Sequence, residues 1–124
     1  MKASLLIAAV LLLLLGLVHS VLGERYILVR LFRRDNLPRL FGSDVFTKRT
    51  LRFAWHLTTV VWLGVAVLLV RMAGAQTLGA PEIGGTVAAT AGVSALVALV
   101  GSRARHPAWI VFLVVAGLVW AGTR

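Results

Sequence analysis

At 124 residues the chain is 60% hydrophobic and only 14% charged, against about 45–50% and about 25% in an ordinary soluble domain, so a soluble fold is excluded and an integral membrane protein is expected. The net charge of +9 would suit nucleic acid, but the cations flank apolar runs instead of interleaving with aromatics, which leaves anionic lipid headgroups as the expected counter-charge. With no cysteine, disulfides, thiolate metal sites, thiol nucleophiles and iron–sulfur clusters are excluded as well.

The first apolar run, Ala3 to Gly23, carries no charge and one histidine. About 20 apolar residues at about 1.5 Å each cross a hydrocarbon core of about 30 Å, so this is the first span. A signal peptide is the rival reading, with Lys2 as its basic start and Ser20 or Gly23 at its cleavage point. The cations immediately downstream resist translocation and favour an uncleaved anchor.

The connector from Glu24 to Arg52 holds eight of the cations: Arg25, Arg30, Arg33, Arg34, Arg39, Lys48, Arg49 and Arg52. Its first part continues the helix, with arginines at helical spacing among Ile27, Leu28, Leu31 and Phe32 that suit a headgroup layer. Pro38 ends that helix, Gly42 supplies a turn, and Ser43 or Asp44 is the expected N-cap of the next.

The second span is expected to enter the membrane near Phe53 and leave it at Val70. Arg49, Arg52, His56 and Thr59 fall within about 80° of one another on that helix, one polar stripe running from the headgroups inward. A nearly neutral loop containing Pro81 and Glu82 follows. The third span, residues 83–100, is rich in small residues. Gly85 with Ala89 and Ala88 with Gly92 sit four apart, the spacing that lets helix backbones approach closely in lipid, so this span is expected inside the bundle. A basic turn with Arg103 and Arg105 leads through His106 and Pro107 to a fourth span, residues 107–122, which is short. Trp109 and Trp120 are its expected interfacial anchors.

These elements make an all-α membrane protein of one domain, a bundle of four transmembrane helices with a long, partly helical basic connector on the cytoplasmic side. With the connector and the last turn inside, ten of thirteen cations are cytoplasmic. That places both termini on the periplasmic face of a bacterial inner membrane.

Chemistry is confined to a few polar residues near the connector. His19, Ser20 and Glu24 share about 140° of the first helix, with Gly16 and Gly23 leaving room for a neighbour. An antiparallel hairpin that pairs Glu24 with Arg52 brings His19 and His56 to one depth. His19, Ser20, Glu24, Arg52, His56 and Thr59 are therefore the candidate site. It could be a divalent-metal site on His19 and His56, haem b held by both imidazoles, or a proton-titrating group of a small transporter. The plainer reading is interfacial hydrogen bonding, with His106 a capping residue. No hydrolase, zinc-protease, P-loop or dinucleotide motif is present, so an enzyme is not expected. Small four-helix proton-coupled exporters are of similar length, but carry a glutamate mid-way along the first helix where this chain has a leucine run.

Three stretches, GLVHSVLGER at Gly16–Arg25, LRFAWHLTT at Leu51–Thr59 and RHPAW at Arg105–Trp109, resemble a family of small four-helix inner-membrane proteins of proteobacteria with no established activity. The resemblance implies the topology and no mechanism. The function expected is that of a non-enzymatic structural, accessory or interaction protein, working beside lipid, a second copy of itself or a larger membrane protein.

Overall fold

The computed structural model describes residues 2–75 and 77–124. Four helices account for most of it: α1, Lys2–Leu31; α2, Val45–Gly74; α3, Ala80–Ser102; and α4, Ala108–Gly122. The first three are long and apolar enough to cross a membrane.

α1 changes its winding at Gly23–Leu28, which forms a π-helix. There the amide of Val29 reaches back five residues to the Glu24 carbonyl, and beyond the wide turn Leu28 faces inward, 2% exposed. The helix then tightens, with Arg33 bonded to the Arg30 carbonyl and Arg34 to that of Leu31, and stops ahead of Pro38. Thr47 on the next helix donates to the Pro38 carbonyl at 2.7 Å and ties the connector down. Asp44 takes the N-cap position of α2, but its side chain makes no cap bond. The Lys48 ammonium one turn on draws the carboxylate to 2.6 Å instead.

α1 packs against α2, α2 against α3, and α3 against α4; no other pair of these helices meets among the described residues. The expected bundle is therefore an open row. The reason lies in α1, which offers small residues on one face only: Ala9, Gly16 and Gly23, seven apart, are buried toward α2. Its remaining faces carry exposed Leu, Ile and Val, and bulky side chains keep a second helix at a distance.

α3 is the interior member, as its composition leads one to expect. Its central window is 39% buried, against 11% for α1 and for α2. The buried stripe is Gly84, Ala88, Ala91, Ala95, Ala98 and Ser102, alternating steps of four and three, the period of close-packed antiparallel helices. Of the four small residues singled out in sequence, Ala88 lies on this stripe. Ala89 is exposed, and Gly85 and Gly92 have open space where a Cβ would stand. Thr86, Thr90 and Ser94 each donate to the carbonyl four residues back, so their hydroxyls are satisfied within the helix.

α4 has 15 residues and none of them is buried. At about 1.5 Å per residue it covers about 22 Å, short of a hydrocarbon core of about 30 Å, so only three helices have the length of a full crossing. Trp109 stands near its start, and Trp120 near its end lies under the Arg124 guanidinium, 3.5 Å from the ring centroid. His106 accepts a hydrogen bond from the Ala108 amide at its Nδ1 and so caps α4, while its ring contacts Phe46 and Phe53 of α2. That contact sets the α3–α4 turn at the same end of the molecule as the connector.

Candidate functional site

The site forms where the end of α1 crosses the start of α2, and it is assembled from the six residues marked in sequence. Glu24 receives Arg52 through two contacts, Nη2 to Oε1 at 2.9 Å and Nε to Oε2 at 3.2 Å. The same Oε2 lies 3.3 Å from His56 Nε2. His56 Nδ1 is 2.9 Å from Ser20 Oγ, Ser20 Oγ is 2.7 Å from Thr59 Oγ1, and Thr59 donates to the Gly16 carbonyl at 3.3 Å. A continuous polar path thus descends from an exposed arginine into the apolar part of the helix pair.

Helix geometry explains why these residues converge. Ser20 and Glu24 are one turn apart on α1, and Arg52, His56 and Thr59 follow one another by four and three on α2. Gly16 allows α2 to approach: a Cβ there would stand 3.1 Å from the Thr59 methyl. Gly23 does the same for Trp55, because a Cβ on it would run into the indole.

His19 belongs to a second, reciprocal contact. Its Nε2 donates to the Trp55 carbonyl at 3.2 Å, and the Trp55 indole N–H donates to the His19 carbonyl at 3.0 Å. The two rings stack with centroids 4.4 Å apart and planes 5° from parallel, and Trp62 meets the imidazole edge-on at 5.0 Å. Neither tryptophan was marked in sequence. The register that pairs Glu24 with Arg52 sets His19 opposite Leu57, two positions from Trp55, so it does not single out the tryptophan.

Proton bookkeeping limits what the path can do. A carboxylate accepts, so His56 Nε2 carries a proton toward Glu24. If Thr59 donates to Gly16, then Ser20 must donate to Thr59 and accept from His56 Nδ1, which requires an imidazolium. In the neutral ring Ser20 donates to Nδ1, Thr59 donates to Ser20, and the 3.3 Å contact to Gly16 is given up. Protonation of His56 therefore reverses the direction of two hydroxyls.

A shared metal or a bis-imidazole haem does not fit this donor set. The imidazole nitrogens named above point to Trp55, Ser20 and Glu24 instead of a common centre, and the Trp55 ring covers the His19 face. Among the described residues no group of three or more His, Cys, Asp or Glu side chains is placed to hold a metal ion. The Ser20–His56–Glu24 order is that of nucleophile, base and orienting acid. Yet Ser20 lies within a continuous helix, where the ladder uses the backbone N–H groups and leaves no donor for an oxyanion.

Elsewhere at this end the cations crowd one another. Desolvation, followed by the charges of Arg103 and Arg105, lowers the Arg49 guanidinium below its ordinary value. No protein-family model, curated protein or solved structure matches this chain.

Proposed function

We propose that this is a non-enzymatic integral membrane protein, an accessory or interaction component that works through its intramembrane surfaces. The observation that supports it is the open row of helices. α1 is engaged on one face, α4 buries no residue, and Gly85, Ala89 and Gly92 of α3 form a face of small residues with nothing packed on it. A protein built around an internal active site would bring its helices together around one, and here the polar residues instead fasten one helix to its neighbour.

The connector and the α3–α4 turn lie at one end, with ten of the thirteen cations. The charge rule assigns that end to the cytoplasm and both termini to the outer face of a bacterial inner membrane. In that frame α4 crosses a locally thinned bilayer between Trp109 and Trp120. Crosslinking in native membranes, followed by purification, tests the accessory role. A defined partner or a discrete homo-oligomer is expected, and a monodisperse monomer with neither would overturn it.

A second reading, a proton-linked transporter, draws on the path from Arg52 to Gly16. It requires that His56→Phe abolish a pH-dependent flux across proteoliposomes while leaving the protein folded; unchanged flux ends it.

A further inference from the structure

Beside the start of α2 the connector folds into a cationic cavity that neither the polar path nor the helix seams use. Arg33, Arg34, Asp35, Arg39, Gly42, Ser43, Asp44 and Lys48 line an open, solvent-facing space of about 350 Å³. Four cations and two carboxylates leave a surplus of two positive charges. Asp44 is neutralised by Lys48 at 2.6 Å. Arg33, Arg34 and Arg39 have no carboxylate within ion-pair distance among the described residues. Three exposed guanidiniums thus border one space, and their planar forks match the oxygens of a phosphate group.

The turn that closes the cavity carries an independent mark. Leu40 and Ser43 exchange backbone hydrogen bonds at 2.9 and 3.3 Å, and both central residues take positive φ, 55° at Phe41 and 84° at Gly42. Glycine adopts that geometry freely, whereas a bulky aromatic does so only under strain. Phe41 is nonetheless held there, 90% exposed, with its ring edge-on to Phe46 at 5.3 Å. An apolar ring projected beside a cluster of arginines is the arrangement by which a surface element dips into the acyl boundary while its cations meet the phosphates above it.

We infer that Arg33, Arg34 and Arg39 form a binding site for a phosphate group, either that of an anionic lipid headgroup or free phosphate, with Phe41 seating the turn at the bilayer surface. The site does not depend on the accessory role proposed above, since it is defined by the connector alone. Asp35 lines it with no ion pair or hydrogen bond among the described residues and is the group that limits affinity for an anion.

The test uses the full chain in neutral detergent, with native mass spectrometry reading retained phosphatidic acid or phosphatidylglycerol against phosphatidylcholine, and separately retained inorganic phosphate. The double variant Arg33→Gln/Arg39→Gln is compared with Arg25→Gln/Arg30→Gln. The control loses the same charge from guanidiniums that lie about the Tyr26 ring, at 5.8 and 5.6 Å. Retention falls about tenfold in the first and little in the second. Asp35→Asn, which removes a repelling charge and no hydrogen bond, raises retention about threefold, and this arm stands even if the double variant fails to fold. A charge-matched difference for the anionic lipids identifies the headgroup as the ligand; the same difference for inorganic phosphate alone identifies free phosphate. Equal losses in both double variants together with no gain in Asp35→Asn would show diffuse charge and no site, and would overturn the inference.

Discussion

The two outer seams of the row hold together by opposite means. Where α1 meets α2, side chains reach across: Glu24 to Arg52, Ser20 to His56 and Thr59, and the reciprocal pair of His19 and Trp55. Where α3 meets α4, no side chain bonds across among the described residues: Gly84 leaves the room that Thr123 fills, and the hydroxyls of Thr86, Thr90 and Ser94 turn back on α3 itself. Both suit a bilayer, which three of the helices are long and apolar enough to cross. Tails are as apolar as leucine, so helices gain nothing by hiding leucine from them and must rely on hydrogen bonds or on backbone proximity. The first seam fixes register through polar side chains; the second fixes only distance.

That contrast can be broken most strongly at the small residues. Gly23→Leu drives a side chain into the Trp55 indole, prises the first seam apart and loses the reciprocal pair as well. A loss of about 2–3 kcal/mol is expected in bicelle unfolding by steric trapping. Ala98→Leu, at a fully buried position of α3, costs about 1–3 kcal/mol by the same assay. Next comes Glu24→Gln, which weakens the contacts to Arg52 and His56 together; about 1–2 kcal/mol is expected, with hydrogen exchange rising at the start of α2. Trp55→Phe keeps the stacked face and removes the donor to the His19 carbonyl, so the cost falls to about 0.5–1 kcal/mol. The smallest effect belongs to Ser94→Ala. Its hydroxyl bonds its own helix, so a change below about 0.5 kcal/mol separates the two seams, whereas a cost equal to that of Ser20→Ala would erase the distinction.

Much of the first seam was legible in the sequence because ionisable groups near lipid must find partners, and antiparallel register leaves few choices. Glu24 with Arg52 follows from that reasoning, and the same register sets Ser20 opposite His56. Trp55 was missed because a tryptophan near a span end reads as an interfacial anchor, and its bond to a backbone carbonyl leaves no pattern of side-chain types. The second seam was harder to place. Every face of α3 carries small residues, so Gly85 with Ala89 and Gly84 with Ala88 look equally suited, and only the docking of α4 chooses between them. Closure of the bundle was not legible either, since four apolar helices fit a row as well as a ring. The π-helical turn at Gly23–Leu28 has no sequence signature beyond the glycine that opens it.

The polar path couples α1 to α2 through Ser20, His56, Thr59 and Glu24. A double-mutant cycle on Ser20→Ala and His56→Phe, read as unfolding free energy in bicelles, tests it most directly. A coupling of about 0.6–1.7 kcal/mol between the two positions is expected. Strictly additive losses, with no coupling between Ser20 and His56, would contradict it.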